Sequence, residues 1–150
     1  MIAVIQRVSS ATVAVDGQTV GECGQGLCVL LGVAKGDTNE DADALARKII
    51  NLRIFEDANG KMNLSVQDVG GGILCVSNFT LLAAYKKGNR PDYMGAEAPD
   101  KANALYEYFC QTLSGTVRTD KGIFGAEMKM QINNDGPVTI VMDSKVLLGK

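Results

Sequence analysis

Residues Gly26 to Val33, Gly-Leu-Cys-Val-Leu-Leu-Gly-Val, are apolar almost without a break. A strand with apolar side chains on both faces reads as a buried central strand. A helical pattern follows from Thr38 to Asn51. Thr38 can cap it, and Glu40, Asp41 and Asp43 suit its positive first turn. Ala42, Leu45, Ala46, Ile49, Ile50 and Leu52 form one apolar stripe that can cover a sheet. A chain of 150 residues suits a single domain around one core.

The remaining elements are short. Ile2 to Val8 reads as a strand, and Thr12–Val15 and Thr19–Glu22 flank Asp16-Gly17, a strong hairpin signal. Arg53-Ile54-Phe55 and Met62–Leu64 flank a turn at Asp57–Gly60. Gly70-Gly71-Gly72 enters the strand Ile73–Phe79 instead of linking a strand to a helix. That context excludes a P-loop or a dinucleotide fingerprint and leaves a flexible turn. Leu81 to Ala98 is a long loop, and loops of that length are often functional. Pro99 opens a second helix, to Leu113, with Ala102, Leu105, Tyr106, Phe109 and Leu113 on one face. Thr116–Thr119, Phe124–Ile132 and Pro137–Met142 read as the last strands. A domain over residues 1–143 is expected, with a loose tail from Ser144 to Lys150.

Several chemistries are excluded by what the chain lacks. It has no histidine, the commonest general base and metal ligand. Cys23, Cys28, Cys75 and Cys110 show no CxxC spacing and read as reduced thiols, with only Cys23 expected to be exposed. No metal site and no cofactor are expected. The net charge of −2 argues against a long grip on nucleic-acid backbone, so any such contact should be local. Lys86, Lys87 and Arg90 are the only compact basic cluster, and a solvated loop is its plain reading. No apolar run is long enough to span a membrane, and the N-terminus reads as a strand instead of a signal peptide. A cytoplasmic protein with no membrane partner is the default.

Two polar patches remain, Ser77-Asn78-Phe79-Thr80-Leu81 and Asn134-Asp135-Gly136-Pro137-Val138-Thr139. Each ends or interrupts an apolar strand, where rigid scaffolds present loop chemistry. Pro137 lacks an N–H, so between two strand-like runs it marks a turn or an edge.

Together with Ile5-Gln6-Arg7-Val8, Leu30-Leu31-Gly32-Val33, Arg53-Ile54-Phe55, Gly60-Lys61-Met62-Asn63, Arg90-Pro91 and Phe124-Gly125-Ala126-Glu127-Met128, these patches closely resemble the bacterial and eukaryotic D-aminoacyl-tRNA deacylase family. The resemblance runs from Met1 to about Met142. It implies a three-layer α/β/β single domain with mixed and antiparallel sheets and two main helices. It implies a homodimer that hydrolyses the ester between a D-amino acid and the 3′ end of tRNA. Glycyl-tRNA is a further family substrate. In the family the Gly-Pro bond is cis and enters the partner's pocket, so Gly136 and Pro137 would act in trans.

An aminoacyl ester is already activated, so stabilising the oxyanion can suffice. Fixed backbone N–H donors supply ~10²–10³-fold each, and those of Phe79 and Thr80 are candidates. Thr80 Oγ has no evident base and is a poor nucleophile, so it is read as a positioning group, with water or the tRNA 2′-OH taking part. Ser77 and Asn78 would line the pocket and order the water. If the Gly136 and Pro137 carbonyls hold the α-amino group and crowd one side of Cα, an L side chain clashes. A D side chain, or glycine, does not. Arg7 would fix the motif, or be a surface strand arginine. Phe124 and Met128 would wall the pocket, or belong to the core.

Two positions depart from the family pattern. Asn78 stands where glutamine is usual, and Ile123 where arginine is common. The sequence leaves two other readings open: an editing enzyme for a mischarged L-amino acid, and a non-catalytic dimeric binding protein.

Overall fold

The structure, a computed structural model, describes residues 1–150. Its strands are β1 (Ile2–Val15), β2 (Gln18–Cys23), β3 (Gly26–Gly32), β4 (Phe55–Glu56), β5 (Met62–Leu64), β6 (Gly72–Ser77), β7 (Thr119–Lys121) and β8 (Lys129–Asp143). The helices are α1 (Asn39–Ile50), α2 (Pro99–Ser114) and α3 (Ser144–Leu148), with a 3-10 turn at Phe79–Leu82.

Six strands form one mixed sheet, and β4 and β5 form a separate hairpin. β1 runs antiparallel to β3 along its first half and to β2 along its second, while β8 lines its other side. β3, β6 and β7 are parallel neighbours, which places α1 and α2 in the crossovers between them.

The central strands serve two cores, which explains their nearly continuous apolar sequence. Leu27, Val29, Leu31, Ile73 and Cys75 pack on the helix side with Leu45, Ile49, Tyr106 and Phe109. Cys28, Leu74 and Val76 face the other way and pack with Val8, Ala11 and Val13 of β1. The alternating burial of β1 breaks at Arg7-Val8, both buried, where its pairing with β8 shifts register twice. A bulge bends a strand. Here the second half of β1 packs on the back of β3 and β6, and β2 reaches β7, where Glu22 N–H donates to the Asp120 carboxylate at 3.0 Å. Helices, sheet and folded-over strands make the expected three α/β/β layers.

Several local expectations hold. Asp16 and Gly17 both take positive φ, 51° and 78°, in the β1–β2 hairpin. Thr38 caps α1 with Asp41 as its capping-box partner.

Others need correction. β1 is one strand, not two. Residues Phe124–Met128 are a loop, and β7 starts at Thr119 after a turn. The two strands expected on either side of Pro137 are one strand, β8, whose pairing with β1 breaks off after Asn134 and resumes at Thr139. Ser144 to Lys150 is not a loose tail either. It contains α3, and Ser144 is fully buried. Its Oγ accepts from the Met1 ammonium at 2.9 Å and donates to Asp41 at 2.7 Å, and that ammonium also pairs with Asp37 at 2.8 Å. The end of the chain is thus locked against its start, through contacts between positions too far apart to show a local pattern.

No helix is long and apolar enough to cross a membrane.

Candidate active site

β6 ends at Ser77, which pairs with Leu31 of β3. Asn78 N–H still reaches the Leu31 carbonyl at 2.8 Å. The chain then leaves the sheet, with Asn78 as N-cap of the turn Phe79–Leu82. Phe79 therefore begins a helical turn and does not end a strand. The first N–H groups of such a turn have no acceptor inside it, and Phe79 and Thr80 hold those positions. Gly32 lets the turn sit close to β3, since a Cβ there would meet Leu82 Cδ2 at 2.4 Å and the Asn78 carbonyl oxygen at 3.2 Å.

Phe79, at the start of this turn, and its N-cap Asn78 line a cleft of about 910 Å³ whose wall is mostly apolar. Ser77, Asn78, Phe79, Phe124 and Met128 all line it. Phe124 also packs on Tyr106, with ring centroids 6.1 Å apart, and Met128 packs against the second core. Each is thus both a cleft wall and an edge of a core. Sequence reasoning missed Tyr93, which meets Phe79 edge-on at 4.9 Å and 72° and lines the same cleft. Its only signal was a place in the long loop.

Thr80 is exposed and does not line the cleft, but its Oγ donates to Asn78 Oδ1. An amide oxygen is no base, so this bond orients the Asn78 amide and does not activate the hydroxyl. Glu97, at the cleft wall, accepts N–H bonds from Ala98 and Gly36 and pairs with Lys101. The Ala98 bond above all, then those of Gly36 and Lys101, hold its carboxyl below the ordinary range, so it stays ionised at neutral pH.

Arg7, Gly136 and Pro137 lie outside this cleft. On β8, Asp135 to Val138 bulge opposite Arg7 alone, between the pairs Val8–Asn134 and Gln6–Thr139. β8 is an edge strand, where a missing proline N–H leaves no ladder bond broken. The Gly136-Pro137 peptide bond is cis. Asn134, quoted in the motif but given no role from sequence, closes the bulge: its amide donates to the Val138 carbonyl at 3.0 Å, and its oxygen accepts from Val138 N–H at 3.1 Å. Arg7 is buried, not a surface arginine. Its Nε donates to the Asp135 carbonyl at 3.0 Å and its Nη1 to the Ile54 carbonyl at 2.7 Å. Gly136 sits at φ 142°, and a Cβ there would meet Val138 N and Cγ2 at 2.7 Å. The result is a firmly held loop whose tip, Asp135 to Pro137, is exposed.

Residues 4–143 match the family model described as D-Tyr-tRNA(Tyr) deacylase. The chain belongs to this family. It is 56% identical over 147 residues to a D-aminoacyl-tRNA deacylase of Persephonella marina, covering 98% of this chain and all of that one. It is 55% identical to one from Caldicellulosiruptor saccharolyticus, covering 97% of this chain and 98% of the other. Among solved structures, a "c-Myc DNA Unwinding Element Binding Protein" superposes with a TM-score of 0.90 at 45% identity, covering 95% of this chain and 98% of that one. A probable eukaryotic D-amino acid tRNA deacylase shares the fold, with a TM-score of 0.78 at 18% identity over 95% of this chain and 98% of the other.

Proposed function

We propose that the protein hydrolyses the ester linking a D-amino acid to the 3′ end of tRNA, releasing both, and so proofreads translation in the cytoplasm. Glycyl-tRNA mischarged on alanine tRNA is a second substrate, and L-aminoacyl-tRNA is rejected. The observation that carries this reading is that Ser77, Asn78 and Phe79, where β6 passes into the turn, line the cleft of a chain whose residues 4–143 match the family model.

In this reading the ester carbonyl points at the Phe79 and Thr80 N–H groups, which stabilise the oxyanion of the tetrahedral intermediate. Ser77 and the Asn78 amide hold the attacking water. Thr80 acts through its bond to Asn78. Water or the tRNA 2′-OH supplies the nucleophilic oxygen, and the ester's own activation makes a strong base unnecessary. Phe124 and Met128 wall the space for the aminoacyl group.

The chirality filter is Gly136-Pro137, lent by a second copy of the chain in a homodimer. The motif is exposed, rigidly held and absent from its own subunit's cleft. Its carbonyls hold the α-amino group and close the side of Cα that an L side chain would need. Shape is used against the wrong enantiomer and no side chain reads the right one, so D side chains of different kinds are accepted.

Hydrolysis of D-Tyr-tRNA, L-Tyr-tRNA and Gly-tRNA tests the proposal. Cleavage of the D and glycyl esters with the L ester spared is expected. Rapid L cleavage contradicts the filter, and no cleavage of any contradicts the deacylase reading.

A further inference from the structure

Residues 84–92 form a small hairpin that the mechanism above does not use. The Ala84–Asp92 bridge closes it, with N–H···O bonds of 2.8 and 3.0 Å in the two directions. Both ends are fixed to the active-site cleft. It starts directly after the Phe79–Leu82 turn, and on its far side Tyr93 packs on Phe79 while Tyr93 and Met94 line the cleft. The hairpin is therefore anchored beside the cleft through Phe79 on one side and Tyr93 and Met94 on the other.

Its tip carries Lys86, Lys87 and Arg90, all exposed and none in an ion pair. The carboxylate of Asp92 is turned to the Met94 N–H and not to these cations. Tyr85, beside them, is 79% exposed and stacks on no other ring. On a chain of net charge −2, cations left free and clustered beside a cleft are a focused attraction for an anion. An exposed aromatic ring among them suits unpaired bases.

We propose that this hairpin is the surface that holds the tRNA 3′ end, with Lys86, Lys87 and Arg90 on its phosphates and Tyr85 stacked on an unpaired base. The inference rests on the deacylase reading for the identity of the nucleic acid. It separates two tasks. The cleft handles the ester and the hairpin holds the polynucleotide, so affinity for tRNA and chemistry on the ester respond to different residues.

The test compares wild type with a Lys86→Ala/Lys87→Ala/Arg90→Ala variant and with Tyr85→Ala. Each is assayed on D-Tyr-tRNA and on the 3′-D-tyrosyl ester of adenosine, across a range of salt. Binding of uncharged tRNA is measured in parallel. For the triple variant, KM on D-Tyr-tRNA should rise about tenfold or more with kcat unchanged. The slope of log KM against log salt should become shallower by ~0.7 for each lost phosphate contact to single-stranded RNA. Tyr85→Ala should raise KM by roughly fivefold or more with little change in that slope. The adenosine ester should be hydrolysed equally by all three proteins. An unchanged tRNA KM and salt slope in the triple variant overturns the inference, as does an equal loss on the adenosine ester. If wild type binds tRNA through these residues but cleaves neither ester, the hairpin assignment stands and the deacylase reading fails.

Discussion

Arg7 Nε donates to the main-chain carbonyl of Asp135 at 3.0 Å, so a buried guanidinium on β1 holds the stem of the Gly136-Pro137 bulge on β8. The same group donates to Ile54, at the entrance to the β4–β5 hairpin. The Asp135 carboxylate lies 3.5 Å from Nε but is well exposed, so the carbonyl bonds carry the attachment. A planar fork can serve two carbonyls in fixed directions, and a lysine ammonium on a flexible stem cannot. Arg7→Lys should therefore lower stability by ~1–3 kcal/mol. Urea denaturation should show this as a lower midpoint with an unchanged slope. Turnover of the D ester should fall further than the unfolded fraction explains. Wild-type stability and turnover in this variant would remove Arg7 from its positioning role.

Gly136→Ala probes the bulge itself. The new methyl would meet Val138 at 2.7 Å, at a φ of 142° that L residues rarely adopt. A cost of ~1–3 kcal/mol is expected, leaving a folded protein with a distorted tip. D-ester hydrolysis should drop sharply while circular dichroism stays native. Full activity would mean that the tip geometry does not matter to the reaction.

The elements legible in the sequence were those whose cause is local. Thr38 and its apolar stripe specify α1, Asp16-Gly17 the first hairpin, and the Gly26–Val33 run a buried strand. The polar patch at Ser77–Thr80 was legible as the end of an apolar strand, although its turn was hidden behind the strand-like Ile73–Phe79. What stayed hidden depends on distant partners. Pro137 does not end β8: residues Asp135 to Val138 bulge out of the ladder with β1, and Arg7, on that neighbouring strand, holds the bulge. Ser144 is buried because it bridges the Met1 ammonium, at the far end of the sequence, to the Asp41 carboxylate.

That last contact gives a pH prediction. Burial by itself would raise the Asp41 carboxyl. The bonds from Ser144 and Thr38, together with the nearby Met1 ammonium, outweigh it and hold the carboxyl below its ordinary value. A depressed carboxyl stabilises the fold above its unfolded value, near ~4, and that contribution is lost as pH falls through the folded value. Ser144→Ala should cost ~1–3 kcal/mol at neutral pH and a smaller amount in acid. Chemical denaturation at pH 7 and at pH 3 measures both. A cost that does not shrink in acid would deny the Asp41 linkage.

Thr80→Ala removes the hydroxyl that orients the Asn78 amide but leaves the backbone N–H in place. A partial loss of kcat, about tenfold to a hundredfold, is expected from single-turnover hydrolysis of D-Tyr-tRNA. Complete loss in a folded protein would instead make Thr80 the nucleophile.

The central claim is that a cleft in one subunit works with the Gly136-Pro137 tip of another. Gly136→Ala damages the tip and spares its own cleft. Ala126→Trp fills its own cleft, which Ala126 lines, and spares the tip. Each homodimer should be inactive on D-Tyr-tRNA. Mixed subunits, purified as a verified heterodimer, should regain one working site, formed by the intact cleft of the first and the intact tip of the second. A verified heterodimer that remains inactive would contradict the account.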